Sequence, residues 1–249
     1  MNSAVQKIIG AFIFSSAGRK AWRMRAKIAK LSKTNGIDIC RADLSRIKLK
    51  ISGSGNNIRV HPMLKTKGTL NITIIGSGCS VEIGPGLSIE HSLKIFLGNS
   101  HYDLGPVSDV HVSIGKNTGF NGNAVIMAYN SHSRIEIGDE CLFGADVTMY
   151  QTDGHPVYDL KTGRITNRAD TMHIGNHVWT GSRSTYLKNS FVADGSIVGF
   201  GSVVTRRFTD SNVVISGNPA SCVRTGVSWK SGDPDYIANV RENRQETRP

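Results

Sequence analysis

A histidine opens the longest irregular stretch in an otherwise periodic sequence. Gln151-Thr152-Asp153-Gly154-His155-Pro156 leads into residues 156–173, and regular spacing resumes at Ile174-Gly175. An unperturbed imidazole titrates near 6.5, so at neutral pH it can take a proton from a hydroxyl and give it back. Long insertions into regular arrays usually carry function, and His155 is the candidate general base. The competing reading is burial, because 155 continues a six-residue count through Ile137, Phe143 and Met149. Catalysis by His155 therefore requires the chain to leave that register at Thr152-Asp153-Gly154, which has the composition of a turn.

Other groups with reactive chemistry are less suited. His173 and His177 flank the point of re-entry, but two histidines four apart on a strand share a face without forming a metal site. Both read as exposed or structural, and no metal is expected. Cys40, Cys79, Cys141 and Cys222 are widely spaced, with neither CxxC pairs nor the density of a disulfide scaffold. They read as small buried hydrophobes in a reducing cytoplasm.

The elements that must position His155 are short and repeated. Gly53-Ser54-Gly55-Asn56-Asn57-Ile58-Arg59-Val60 recurs as Gly76-Ser77-Gly78-Cys79-Ser80-Val81-Glu82-Ile83. A unit this short cannot bury its own apolar face and must stack on a neighbour, which predicts a β-solenoid. Within the units a six-residue ladder emerges: Ile83, Ile89, Ile95; Ile114, Phe120, Ile126; Ile137, Phe143, Met149; then Ile174, Thr180, Tyr186, Val192, Val198, Val204. Gly84, Gly115, Gly138, Gly144, Gly175, Gly181 and Gly199 directly follow ladder positions. Six residues make a short strand and a sharp corner where glycine avoids a Cβ clash. Three such units would close one triangular turn of about 18 residues.

Three segments follow: 1–40 as a basic amphipathic helical segment, 41–226 as the β-solenoid with its insertion at 156–173, and 227–249 as a C-terminal helix and tail. Residues 1–34 place Ile9, Phe12, Ile13, Met24, Ile28 and Leu31 at helical spacings, with Gly18 as a possible break. This helix either packs on the main domain or lies on an anionic membrane surface with Trp22 and Phe12. Ser216-Gly217-Asn218-Pro219-Ala220 stops the solenoid, and Asp233-Pro234 signals a last helix over 235–245.

The net charge of +11 is concentrated at one end, since residues 1–37 carry eight Lys and Arg and no acid. Basic character therefore belongs to the N-terminus and does not argue for a nucleic-acid partner. No run approaches the ~20 apolar residues of a membrane span.

Ile174-Gly175-Asn176-His177-Val178-Trp179-Thr180-Gly181-Ser182, Val198-Gly199-Phe200-Gly201-Ser202-Val203-Val204-Thr205-Arg206 and Gly217-Asn218-Pro219-Ala220 occur in that order. Together they resemble the hexapeptide-repeat acyltransferases, and more narrowly the sugar and capsular polysaccharide O-acetyltransferase branch that includes galactoside acetyltransferase. The resemblance is continuous over about 112–226 and implies a mainly β fold, a left-handed parallel β-helix. It also implies a homotrimer with active sites between subunits, acetyl-CoA as cosubstrate and a carbohydrate acceptor.

Residue by residue, the resemblance makes Gly154-His155-Pro156 the motif of the catalytic histidine and gives Trp179 a place beside the thioester and acceptor. It gives the backbone N–H of Ser182 to the thioester carbonyl, Asn121 to the acceptor, and Gly199 and Phe200 to the pantetheine groove. Thr205, Arg206 and Arg224 would meet CoA, the cations facing its phosphates. In the loop, Tyr158 and Asp159 are candidates for acceptor contact. Thr180 replaces an expected isoleucine, Ala193 a turn glycine and Phe200 a small residue. No acyl-enzyme nucleophile is evident near His155, so direct attack in a ternary complex is expected. A sugar-nucleotide N-acetyltransferase, a serine or xenobiotic acetyltransferase and a noncatalytic scaffold remain open alternatives. The expected location is the cytoplasm, with peripheral membrane contact through residues 1–34 as the second reading of the helix.

Overall fold

Aliphatic residues at every sixth position fill the inside of a three-sided coil. The computed structural model describes residues 15–64, 66–99 and 105–232, and its chain winds through three sheets in turn. One coil gives Arg134–Ile137 to the first sheet, Leu142–Phe143 to the second and Val147–Tyr150 to the third. Each strand pairs in parallel with its equivalents on adjacent coils: Ile137 with Ile114 and Ile174, Phe143 with Phe120 and Thr180, Met149 with Ile126 and Tyr186. Every ladder residue named above is buried. The solenoid is a mainly β, parallel β-helix.

Coil length departs from the uniform 18 residues. Asn57 pairs with Ser80 and His111 with Arg134, both 23 residues on, whereas His173 pairs with Phe191, 18 on. The difference lies in the third sheet, where Thr69–Ser77, Ser92–Leu97 and Asn123–Ala128 precede the shorter Thr185–Leu187 and Val203–Val204. Early coils are wider because these strands are longer.

Glycine at the corners works by close approach. A Cβ on Gly138 would lie 2.7 Å from the carbonyl carbon of Gly175 in the next coil, so backbone stacks on bare backbone. Thr180 shows why an interior position tolerates a polar residue: its Oγ1 lies 2.7 Å from the Tyr186 hydroxyl, and the two satisfy each other inside the coil. Burial drives the Tyr186 phenol well above its ordinary pKa.

Both ends are closed. Helix α1 (Ser16–Leu31) starts at Ser15, whose Oγ accepts from the Gly18 N–H at 2.9 Å. It buries Ala21 and lays Met24, Ile28 and Leu31 on the core, leaving Lys20, Arg23, Lys27 and Lys30 exposed. The packed-helix reading holds for this stretch, and Gly18 lies buried within the helix without breaking it. Residues 1–14, with Ile9, Phe12 and Ile13, are outside the described residues. No described helix is long and apolar enough to cross a membrane. At the other end Val214–Gly217 pairs antiparallel with Ala220–Arg224, a reversal that stops the parallel winding. The helix expected over 235–245 also lies outside the described residues. Among the cysteines, Cys79 and Cys141 are buried as expected, and burial pushes the Cys141 thiol up to about 11. Cys222 is exposed because it sits on the reversed edge strand, outside the coil interior.

Candidate active site

The ladder that leads to His155 stops at Met149. Gln151 and Thr152 are still buried, and Gln151 Oε1 accepts from the Asn189 N–H at 3.0 Å on the next coil. Thr152 Oγ1 then accepts from the Gly154 N–H at 2.9 Å, and Gly154 adopts a φ of +77° that a side chain would resist. This turn carries the chain out of register, and His155 is exposed.

Asp153 and Asn167 hold the turn. Asp153 Oδ2 meets Lys188 Nζ at 2.8 Å and accepts from Asn167 Nδ2 at 2.8 Å. Asn167 Nδ2 also donates to the His155 carbonyl at 2.9 Å, and its Oδ1 accepts from the Val157 N–H at 2.8 Å. Partial burial works to raise the Asp153 pKa, but hydrogen bonds from Lys188 and Asn167 and the Lys188 charge prevail and hold it low.

The insertion runs over 151–170, shorter at its far end than the expected 156–173, because Thr171–Ile174 pairs as a first-sheet strand with Arg134–Ile137. Its outer part is a hairpin with Tyr158 opposite Ile165. Tyr158 is exposed and Leu160 fully so. Asp159 Oδ1 accepts from the Lys161 and Thr162 N–H groups and the Thr162 hydroxyl, so this oxygen fixes the loop tip. The bonds from Thr162 lower its pKa.

His155 borders two cavities. One of about 490 Å³ is lined by Tyr129, Tyr150, Thr152, His155 and Leu187; another of about 210 Å³ lies between His155, Pro156, Ile165, Asn167 and Arg168. Sequence reasoning missed Tyr129 and Tyr150. The signal was available, since each directly follows an inward residue, Ala128 or Met149, and must face out. Burial, then the neighbouring Tyr150, raises the Tyr129 phenol pKa, so it stays a hydrogen-bond donor.

The remaining candidates gather elsewhere. Trp179 lies on the second sheet between Leu142 and Ile197 and is 42 % exposed. Trp229 stands 6.2 Å from it, stacks on His177 at 4.4 Å and donates from Nε1 to the His177 carbonyl at 2.7 Å. His177 is thereby structural, as is His173, which pairs with Glu136 at 3.1 Å and stacks on Phe191. Trp229 comes after the last ladder position, where no periodicity marks it.

Asn121, Ser182, Gly199 and Phe200 follow second-sheet strands and form the edge between the second and third sheets. Ser182 Oγ accepts from the Ala145 N–H at 2.9 Å across adjacent coils, and Phe200 is 67 % exposed under the Arg183 guanidinium. Thr205 and Arg206 are exposed after the third-sheet strand Val203–Val204, while Arg224 is exposed on the final strand. Among the described residues, no carboxylate pairs with Arg206 or Arg224. A single chain thus unites His155 with Tyr158 and Asp159 on one edge. It leaves Asn121, Trp179, Ser182, Gly199 and Phe200 on the second sheet and the opposite edge of the third.

The geometry offers an exposed imidazole beside an aromatic cavity and, on the other edge, a line of close-stacked glycine corners, with Arg206 exposed over the Phe208 ring and Arg224 exposed on the last strand. No family model matches the chain. It is 30 % identical over 149 residues to a polysialic acid O-acetyltransferase of Neisseria meningitidis, covering 55 % of this chain and 67 % of that enzyme. It is 35 % identical over 119 residues to the galactoside O-acetyltransferase of Escherichia coli (strain K12), covering 47 % of this chain and 54 % of that enzyme. Among solved structures, the polysialic acid O-acetyltransferase OatWY superposes with a TM-score of 0.51 at 26 % identity, over 80 % of this chain and 99 % of that one.

Proposed function

The chain belongs to the hexapeptide-repeat O-acetyltransferases, whose left-handed parallel β-helix it adopts, and from that premise we propose that it transfers acetyl from acetyl-CoA to a carbohydrate hydroxyl. His155 is the general base. The observation that carries this reading is the register break at Thr152–Gly154, which turns His155 out of the coil beside a 490 Å³ cavity lined by Tyr129 and Tyr150. The acceptor hydroxyl gives its proton to the imidazole and attacks the thioester carbonyl, and the tetrahedral intermediate expels the CoA thiolate, which takes the proton back. The Ser182 N–H is the candidate donor to the oxyanion.

The far edge suits the long donor. Close-stacked corners at Gly181 and Gly199 give this edge a smooth surface along which a thin arm can lie, and the exposed cations suit phosphates, Arg224 on the second sheet and Arg206 just past the third. Because His155 and Ser182 lie on different edges of one chain, the complete site draws on two copies, which supports a homotrimer with sites between subunits. A surface polysaccharide is the acceptor class favoured by the relatives' names, and the enzyme works in the cytoplasm. Contact of the exposed cationic face of α1 with anionic membrane is a further part of this reading, and liposome flotation with and without residues 1–34 tests it.

The deciding experiment incubates the chain with acetyl-CoA and polysialic acid or a galactoside, following thiol release and acetyl ester formation by mass spectrometry. Acceptor-dependent ester formation is expected. Thiol release without ester, or none with either acceptor, sinks the assignment.

A further inference from the structure

The outer surface of the third sheet is unlike that of the first. In the first sheet one outward column runs Asp38, Arg59, Glu82, Ser113, Glu136, His173, and its polar groups find partners: Arg59 faces Asp38 and Glu82, and the His173 ring meets Glu136 within hydrogen-bond distance. The equivalent column of the third sheet runs Lys50, Thr73, Phe96, Met127, Tyr150, Leu187. A solvated sheet face normally carries polar residues at such positions. Here four of the six are apolar or aromatic, and they end beside His155.

Two cavities adjoin along this column. The 490 Å³ cavity at His155 shares Tyr129 with a second, of about 350 Å³, lined by Lys50, Thr73, Ile75 and Phe96. From Lys50 to Leu187 the column takes five interstrand steps, about 24 Å at roughly 4.8 Å each. That is several sugar rings long. Charge is graded as well: the third-sheet strands contain Lys48, Lys50 and Lys94 and no Asp or Glu. Lys48 and Lys94 stand in the adjoining outward column, joined by Asn71.

We propose that this strip is an extended acceptor cleft for an anionic oligosaccharide, with the acetylated unit at His155 and distal units on Tyr129, Phe96 and Lys50. Pyranose rings present C–H faces that stack on aromatic rings, and their hydroxyls meet the tyrosine phenols and Thr73. The lysines at the far end receive carboxylate or other acidic substituents. The acceptor is therefore a polymer or a long fragment of one, and a single activated sugar would leave most of the cleft empty. This inference rests on the carbohydrate O-acetyltransferase reading and names its substrate class.

The test is equilibrium binding of sialic acid monomer, dimer, tetramer and octamer to the full chain, alongside neutral galactose oligomers of the same lengths. Affinity for the acidic series is expected to rise about tenfold or more from monomer to tetramer, the size of one good stacking contact, and to outrun the neutral series. Phe96→Ala and Lys50→Gln should pull that length ratio towards one. Length-independent binding, no binding by any oligomer, or an equal gain with the neutral series overturns the proposal. If Phe96→Ala instead dissociates the oligomer and leaves the ratio intact, the strip is a contact between copies and the proposal also falls. Turnover measured in parallel speaks separately to the parent reading: absent acetylation with length-dependent binding removes the activity and keeps the cleft.

Discussion

Two edges flank the third sheet, and they are built on opposite terms. Between the second and third sheets, corners stack so closely that a Cβ on Gly181 would lie 2.6 Å from the Phe200 nitrogen. Between the third and first sheets the chain leaves the coil, and Gly154 and Gly163, with φ of +77° and +66°, have nothing within 4 Å of where a Cβ would stand. Gly181 serves packing, whereas Gly154 and Gly163 serve backbone conformation. The tight edge repeats and, in the proposed mechanism, gives a long thin cosubstrate a smooth track, while the loose edge is free of the repeat and would present the base. On the proposed mechanism, their separation by a whole sheet is what calls for a second copy.

The largest expected effect comes from removing the base. His155→Ala should lower turnover by about 10²–10⁴-fold, yet leave the thermal midpoint unchanged because the ring is exposed. If the midpoint falls instead, His155 is structural. Mixing refolded His155→Ala with Trp179→Ala then tests the two-edge arrangement. If each site takes its base from one copy and its tryptophan from the next, random reassembly restores about a quarter of the sites in a cyclic trimer. No recovery would mean that both groups act within one chain.

The next effect separates the two roles of glycine. Gly181→Ala forces a Cβ into backbone and should cost about 1–3 kcal/mol, as overpacking does, read from the denaturant midpoint. Gly163→Ala only strains a left-handed residue and should cost about 1–2 kcal/mol. The sharper contrast is in function: Gly181→Ala should also raise KM for acetyl-CoA, and Gly163→Ala should not. Equal KM values would break the assignment of the tight edge to the donor.

What the sequence disclosed follows the same division. The ladder through Ile137, Phe143 and Met149 was legible because a coil interior admits a side chain only every sixth residue, and the turn at Thr152–Gly154 was legible as a break in that count. Coil width was legible only where the sequence repeats outright, as residues 53–60 do 23 residues on at 76–83; elsewhere extra residues in strands such as Asn123–Ala128 keep the two-residue alternation and leave the interior pattern intact. The contact of Trp229 with His177 was also hidden, because it joins residues 52 apart in sequence through a tail with no period. The bonds that Asp159 Oδ1 accepts from its own turn were likewise invisible in composition.

The smallest effect tests what holds the loose edge in place. Asp153 is held below its ordinary pKa in the folded chain by Lys188 and Asn167, so its contribution to stability is complete above the unfolded value of about 3.9 and is lost as pH falls through the lower folded value. The pair is partly exposed, with the Asp153 side chain at 38 %, and solvent screening limits its worth to under about 1 kcal/mol. Asp153→Asn should therefore be slightly less stable than the parent at pH 7, and the gap should close on acidification as the parent carboxyl takes up its proton. Turnover should fall by more than stability, because the same carboxylate anchors Asn167, which holds the His155 carbonyl. A stability gap that stays constant from neutral pH to well below 3.9 would show that shape, and not charge, makes Asp153 matter.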